Sequence, residues 1–455
     1  MKTVLFFIFL LIFGSGLSSQ TLLKINSADL LKQNPFGGKI IYGNVDIEYD
    51  IYRVKCDSAV INKDMTNARL YRNIQFSDTS RTIRCNSATL SKTPNGKLAF
   101  LTGNIRLTEK DFFITGKEAV MNEINNKVTV SDSVVAKYYK FPSILFCSEL
   151  EYDIKNNIIG SGSVDSVLYI DSLRFYKLFT RYFSYSLESK SLSFNNKFEL
   201  ESHEFATPLD FYNQIDPARI SQIVKKYDII KDSFFSANKG NFNFNILEME
   251  TIGKCSFYQI DRIKQDTVFF SSDKILYSDA KQIGVAEGNV KIKKDKLNII
   301  SELAKYYYED QRIKFLQKPV IKYENHEITG DSIRLLVEDS DFYPKEADIY
   351  GDPFYKSVPD ENFPNEINIL KGKLMNIRFL NKEISKIIVS KEAKGLYFIR
   401  GDKNKNSEAS NYLLGDKIGI SFKDGDIDSA SIEGGCEGIY YPDKLKQNAL
   451  KEMKK

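Results

Sequence analysis

Hydrophobic and polar positions alternate along short stretches of this 455-residue chain. Val45, Ile47 and Tyr49 are separated by single acidic residues, and the same alternation returns at 105–107 and 290–293. A period of two residues is typical of a strand with one buried face. The many Phe (32) and Tyr (26) residues suit pleated surfaces. The pattern therefore predicts short antiparallel strands separated by tight turns.

A repeated phrase introduces these strands. It consists of Gly or Arg, then Asn, then alternating apolar positions, and its copies begin at Gly43, Arg72, Gly103 and Gly288, with a weaker copy at Gly162. The Asn residues of the first three copies are 29 and 31 residues apart. A second phrase, which ends in a small residue, a polar residue and often Ala, follows about 13 residues after each Asn. A period of this size predicts an array of one small structural unit.

The array is interrupted once. Asp216 and Pro217 are typical of the first turn of a helix, and Ile220, Ile223 and Val224 follow at helical spacing. A further pair of related copies, 372–379 and 415–422, lies near the C-terminus. We therefore predict five regions, which are a signal peptide at 1–19, a first β-segment at 20–205, a helical or irregular insertion at 206–239, a second β-segment at 240–441 and a basic tail at 442–455.

The N-terminus predicts export. A basic residue precedes an apolar run at 4–13, and small residues follow at 14–19, as in a cleaved signal peptide. The first cysteine is Cys56, so a lipid anchor directly after this segment is not expected. The mature chain is therefore predicted to lie outside the cytoplasm, soluble or attached to a membrane surface.

Net charge and cysteine content exclude some classes of function and structure. A net charge of +4, from 64 basic and 60 acidic residues, argues against nucleic acid as a partner. Five cysteines are too few for a disulfide scaffold. Cys56 and Cys85 occupy the same slot of successive repeats, which suits either a packed small residue or a disulfide.

No catalytic or metal-binding set is evident. The two histidines, His203 and His326, lie far apart in the sequence, and we expect His326, beside Glu327 in a strand, to be solvated. Residues 424–428 carry three Asp residues at calcium-loop spacing, but Ser429 and Gly435 stand where Gly and Glu are required, so a hairpin turn is expected there. The sequence thus predicts a protein that is not an enzyme and holds no metal or cofactor.

The two linked phrases resemble the OstA-like repeat of lipopolysaccharide-transport proteins, the family of LptA, LptC and the N-terminal domain of LptD. The resemblance covers most of 38–441 and is strongest at 40–122, 284–336 and 370–441. It implies an all-β fold, a V-shaped and open-ended β-jellyroll of antiparallel strands. It also implies a periplasmic protein, either soluble or associated with the outer membrane, that carries or bridges lipopolysaccharide toward that membrane. The implied partners are the acyl chains of lipid A, and LptC- or LptD-type proteins or further copies of the chain, joined by end-to-end strand pairing.

Alternation marks one face of each strand for the predicted groove. We expect the lipid-binding groove to be lined by Val45, Ile47, Ile74, Phe76, Ile105, Leu107, Val290, Ile292, Val320 and Ile377. Alternation does not distinguish an open groove from a packed core, so both stay open. The repeated Gly residues are expected to serve a bulge or bend. The alternative function is a structural or adhesive β-repeat protein of the cell surface without lipid cargo.

Overall fold

Antiparallel β-strands make up nearly all of the protein. The computed structural model describes residues 23–94, 96–139, 143–156, 158–170, 173–208, 227–338, 343–360, 362–400, 406–423 and 426–453. The chain divides into two compact units, the first ending at Tyr169 and the second beginning at Ile170. The all-β, antiparallel fold predicted from the sequence is confirmed.

The strands of the first unit are antiparallel; the first two both pair with the third, and from the third onward consecutive strands pair. They are β1 (Lys24–Ser27), β2 (Leu30–Gln33), β3 (Lys39–Tyr49), β4 (Tyr52–Ile61), β5 (Asn67–Ser77), β6 (Arg81–Thr93), β7 (Gly96–Glu109), β8 (Phe112–Asn122), β9 (Lys127–Tyr138), β10 (Ser143–Asp153) and β11 (Ile158–Ile170), which reaches the boundary.

The second unit contains shorter strands as well as long ones. They are β12 (Arg174–Thr180), β13 (Phe183–Ser186), β14 (Ser191–Phe194), β15 (Phe198–Phe205), β16 (Ile229–Ala237), β17 (Lys239–Asn243), β18 (Glu248–Asp261), β19 (Asp266–Ser278), β20 (Ile283–Lys294), β21 (Leu297–Tyr307), β22 (Arg312–Leu316), β23 (Val320–Tyr323), β24 (His326–Thr329), β25 (Ser332–Val337), β26 (Pro344–Tyr350), β27 (Phe354–Ser357), β28 (Asn368–Lys371), β29 (Leu374–Leu380), β30 (Glu383–Ile399), β31 (Ala409–Lys423), β32 (Asp426–Glu433) and β33 (Glu437–Pro442). A 3-10 helix, Asp443–Asn448, and the single-turn helix α1, Ala449–Glu452, follow. No helix within the described residues has the length and apolarity needed to cross a membrane.

The repeated Gly-Asn phrase forms a corner in the middle of a strand. Gly43 and Asn44 both have positive φ angles, +70° and +43°, and the pairing of β3 with β4 shifts register at this point. The same pair of left-handed residues occurs at Gly103–Asn104 and Gly288–Asn289. Gly reaches this conformation without strain and Asn reaches it more readily than most residues. The expected bend at the repeat Gly residues is therefore confirmed.

Each corner divides a long strand between two layers. We call the layer that contains residues 290–294 of β20 layer A, and the layer that contains residues 283–287 layer B. Side chains of both layers of the second unit enter one hydrophobic cluster, with Val290 and Ile321 from layer A and Phe315 and Ile377 from layer B. The two layers therefore face each other across a shared interior, and each buried aliphatic side chain stabilises it by about 1.5–3 kcal/mol.

The structure near some of the predicted segment boundaries differs from the structure expected there. The helix predicted near residue 216 falls within 209–226, outside the described residues, whereas 229–237 of the predicted insertion form strand β16, which pairs with β15 and β18. The predicted insertion at 206–239 lies inside the second unit. The predicted tail is folded where it is described, because Ala449 and Met453 are buried against Leu396 and Phe398.

Candidate functional site

The interior between the layers holds most of the residues predicted to line a groove. Eight of the ten have at most 1% of their surface exposed, and these are Val45, Ile47, Ile74, Phe76, Ile105, Leu107, Val290 and Ile377. Ile292 is half-buried and packs against the edge of the core. The alternation thus identified an inward-facing set, and whether that set contacts lipid stays a prediction.

Val320 lies on the other face of its strand, contrary to the expectation. It pairs with Ile300, which is 43% exposed, while its neighbour Ile321 pairs with the buried Ile299. Pro319, directly after the corner at 317–318, is buried in the position that Val290 takes in β20. The inward position of this repeat is therefore Ile321, one residue later than predicted.

The interior of the first unit is closed where its two layers meet at their rims. The ammonium of Lys97 lies 5.9 Å from the ring centroid of Tyr49, which belongs to the opposite layer. Tyr49 and Tyr52 face Met121 and Val128 across a cavity of about 40 Å³. This volume holds a water molecule but no acyl chain, and the six predicted lining residues of this unit are buried.

The interior of the second unit is more open along part of its length. Phe235, Phe257, Phe270 and Ile292 are directly paired across β16, β18, β19 and β20, and all four are half-buried. We call these four residues the open row. The same row continues into Ile299, which is 1% exposed. The open row is therefore an accessible apolar strip that leads into a packed core.

Layer B supplies further half-buried apolar side chains on the same side. Phe242 pairs with Met249, and Met249 pairs with Tyr277, in the inward-facing row of that layer. The Phe198 ring lies 5.8 Å from that of Phe235 and 5.9 Å from that of Phe242. This aromatic contact joins the two layers beside the open row.

The outward face of layer A carries aromatic residues next to the open row. Phe234, Tyr258 and Phe269 form a cross-strand row and are 37%, 39% and 36% exposed. Each is adjacent in sequence to a member of the open row but points to the opposite side of the sheet. These residues provide matched positions for experiments that must distinguish the two faces.

The ionisable groups nearby are engaged in structural contacts. His203 Nδ1 lies 2.6 Å from the buried Asp232 Oδ1, whose other oxygen accepts a hydrogen bond from Arg262 Nε at 2.6 Å. His326 is 9% exposed, so the prediction that it is solvated is wrong. It lies 2.7 Å from the Tyr355 hydroxyl, and burial lowers the pKa of His326 to about 4.

Across the described residues, no cluster of His, Cys, Asp and Glu side chains has the arrangement of a metal site. The Asp-rich turn considered as a calcium loop includes residues 424–425, which lie outside the described residues. Cys56 and Cys85 are buried free thiols, as expected for packed small residues. The open row is the candidate binding surface, because its four apolar side chains are only half-buried and form a continuous strip that suits an elongated apolar ligand.

Sequence reasoning missed the first three members of the open row. Gly253, Lys254 and Phe257 align with Gly288, Asn289 and Ile292, and the corner is formed although Lys replaces Asn. A search that required only Gly followed by alternating apolar residues would have found this copy. The half-buried state of the row could not be inferred in this way, because it depends on contacts with the opposite layer.

No family model matches the sequence, and no curated protein matches it. Among solved structures, the crystal structure of LptH from Pseudomonas aeruginosa is similar to part of the chain. That protein is described as the LptA-homologous periplasmic component of the lipopolysaccharide transport device. The match has 19% sequence identity and a TM-score of 0.23, and it covers 25% of this chain and 82% of LptH.

Proposed function

We propose that this protein binds lipopolysaccharide through its acyl chains and carries or bridges it toward the outer membrane, without catalysis. The observation that supports this most directly is the open row, a half-buried apolar strip between two β-layers. Each methylene group that is fully removed from water gains about 0.8 kcal/mol, so roughly 8 kcal/mol is the upper limit for ten methylenes, and a half-buried strip supplies a part of it. An acyl chain can therefore be held without any covalent step.

Lipopolysaccharide is proposed over other acylated molecules because of the OstA-like repeat phrases in the sequence. The periplasmic location is proposed on the same basis, together with the predicted signal peptide at 1–19. The closed interior of the first unit implies that it acts as a scaffold in this conformation, and that lipid first contacts the second unit.

Photocrosslinking tests the cargo and its position. p-Azidophenylalanine placed at Phe257 or Phe270 should capture lipopolysaccharide in cells, because both side chains border the space between the layers. The matched control positions are Tyr258 and Phe269, their outward-facing neighbours. Capture only at the control positions would refute the groove, and capture of lipid at neither pair would refute lipid binding.

The alternative, a surface structural or adhesive protein, predicts a different outcome. Mass spectrometry of material that co-purifies with the exported protein should identify lipopolysaccharide if transport is correct. Depletion of the protein should then lower outer-membrane lipopolysaccharide. An apolar space without bound lipid, together with unchanged outer-membrane lipopolysaccharide on depletion, would favour the surface-protein alternative.

We also propose that strand pairing at the C-terminal edge joins the protein to a transport partner or to a second copy. The described pairings of β32 and β33 are both with β31, and Ile439 and Tyr440 of β33 are exposed. Unpaired strand edges readily accept another strand. Proline at Ile439 should abolish such an assembly in light scattering and crosslinking, and a strict monomer without any crosslinked partner would contradict the proposal.

A further inference from the structure

A contact between the rims of the two layers lies beside the open row. Tyr343 enters from the start of β26 in layer B, and its hydroxyl donates a hydrogen bond to Asp266 Oδ2 at 3.0 Å. Asp266 begins β19 in layer A, and Lys294 Nζ lies 3.0 Å from the same carboxylate oxygen. The ammonium of Lys294 is also 4.0 Å from the Tyr343 ring centroid.

A second cation completes this contact. Lys382, in the turn between β29 and β30, places its ammonium 3.8 Å from the Tyr343 ring centroid. Its backbone carbonyl accepts a hydrogen bond from the Tyr323 hydroxyl of β23. We call Asp266, Lys294, Tyr343 and Lys382 the clasp, because they tie the rims of the two layers together.

The position of the clasp coincides with the end of the open row. Ile292 and Lys294 lie on the same side of β20, so the clasp is one inward-facing position from the last half-buried residue. Lys294 is 4% exposed, an unusual degree of burial for a lysine. Beyond it, Ile321 and Tyr355 of the same cross-strand row are each 1% exposed.

We infer that the clasp determines how far an acyl chain can extend between the layers, an inference that rests on the proposed function. With the clasp closed, the chain lies on the open row and stops at Ile292. When the rims separate, the apolar row that includes Ile321 and Tyr355 becomes accessible, and a longer chain is accommodated. The clasp residues are thus specificity-determining for acyl-chain length.

The chemistry of the clasp suits a contact that opens and closes. It consists of one ion pair, one hydrogen bond and two cation–π contacts, and Lys382 is exposed to solvent. The cation–π contact of the exposed Lys382 is weak, because solvent screens an exposed cation. Tyr343 makes three of these interactions, so its replacement removes most of the clasp and leaves the Lys294–Asp266 ion pair in place.

Crosslinking on both sides of the clasp tests this inference in the full-length protein. p-Azidophenylalanine at Phe257 reports on the open row, and the same residue at Tyr355 reports on the space beyond the clasp with little change in side-chain shape. With purified lipopolysaccharide as the probe, we expect an adduct at 257 and little at 355 in the otherwise native chain. Tyr343→Ala should raise the adduct at 355 by about tenfold, while Tyr343→Phe, which keeps the ring, should have a smaller effect.

A chain-length series gives a second measurement. Saturated fatty acids of different length are added as competitors of the lipopolysaccharide adduct. In Tyr343→Ala, the most effective competitor should be a longer fatty acid than in the native chain. Lys382→Ala, which removes an exposed side chain, serves as a second variant and should produce the same shift to a lesser extent. Circular dichroism verifies that each variant keeps its strand content.

Two results would overturn the clasp, and a third would overturn its premise. Equal labelling at 355 in the native chain and in folded Tyr343→Ala would show that the clasp does not limit how far an acyl chain extends. Absence of labelling at 355 in folded Tyr343→Ala and folded Lys382→Ala would show that release of the clasp does not make the row beyond it accessible. Absence of an adduct at 257 in every variant would instead refute the proposed lipid function.

Discussion

Asn289 donates a hydrogen bond from Nδ2 to Oδ2 of Asp273 at 2.7 Å, across the corner between β19 and β20. The same arrangement joins Asn73 to Asp57 at 2.9 Å in the first unit. An acidic residue on one strand therefore fixes the left-handed Asn at the corner of the next. The two linked phrases of the repeat are the two sides of this contact.

Adding one methyl group at the corner should lower the stability of the protein markedly. In Gly288→Ala, the new Cβ would lie 2.5 Å from Asp273 Oδ2, at a residue whose φ is +72°. We expect the free energy of unfolding to fall by about 1–3 kcal/mol, measured by urea denaturation. Gly284→Ala is the control, because its closest contact is the flexible Tyr308 hydroxyl at 3.4 Å. Equal losses in both variants would contradict the role given to the corner.

Burial of His326 predicts a loss of stability in acid. Its pKa falls from 6.5 to about 4 on folding, chiefly because burial disfavours the charged ring. The unfolded chain therefore binds a proton before the folded one, and stability is full above pH 6.5 and declines as the pH falls toward 4. The decline due to this residue reaches about 3 kcal/mol.

The matching variant is His326→Gln, which removes the titration and keeps a hydrogen-bonding group near Tyr355. Urea denaturation between pH 7 and pH 4 should show a shallower pH dependence for this variant. Curves with the same pH dependence, whether superimposed or offset by a constant, would contradict the assignment. The difference that remains above pH 6.5, where the ring is neutral in the folded and unfolded states, reports the packing change.

The buried Glu366 should be important for the C-terminal end of the second unit. It accepts hydrogen bonds from the Ser407 backbone at 2.9 Å and hydroxyl at 2.7 Å, and from Arg400 at 2.7 Å. Glu366→Ala leaves these donors and a largely buried guanidinium without this carboxylate, and we expect a loss of about 3–5 kcal/mol.

The exposed Lys417–Glu433 pair is the comparison for this prediction. Glu433 is 63% exposed, so Glu433→Ala should change the free energy of unfolding by less than about 1 kcal/mol. Thermal or urea unfolding measures both variants. A loss for Glu366→Ala as small as that of the control would show that solvent replaces the missing contacts.

The thiols should differ sharply in reactivity. Cys436 is exposed, whereas Cys56, Cys85, Cys147 and Cys255 are buried. Burial raises the pKa of both Cys56 and Cys85 to about 12, so the reactive thiolate is scarce at neutral pH. Native protein should therefore react with one equivalent of Ellman's reagent, and Cys436→Ser should abolish this reaction. Fast labelling of Cys56 or Cys85 would contradict the packed interior.

Local patterns in the sequence were sufficient to predict much of the fold. Alternation identified inward-facing residues such as Ile47 and Ile105, because a strand with one buried face needs a period of two. The repeated Gly-Asn pair identified the corners, because left-handed backbone favours these residues. Val320 was misplaced because the corner before it carries Gln317 and Lys318, and the following Pro319 takes the inward position.

Features that depend on contacts between residues far apart in the sequence could not be predicted from local patterns. The half-burial of the open row depends on which side chains of the opposite layer reach it, as in the Phe198–Phe235 and Phe198–Phe242 ring contacts, and alternation along one strand does not encode this. Burial of His326 depends on Tyr355, which is 29 residues away. The clasp joins Asp266 to Tyr343, 77 residues apart, and no local pattern marks either residue.

The corners also make the protein extensible. Each corner is fixed by contacts between adjacent strands, as in Asn289 and Asp273, and does not require a residue from elsewhere in the chain. Duplication or loss of one hairpin of repeats would therefore add or remove two rungs, about 10 Å of each layer, and keep the remaining corners intact. Under the proposed bridging function, gain or loss of whole repeats would change the distance that the protein spans.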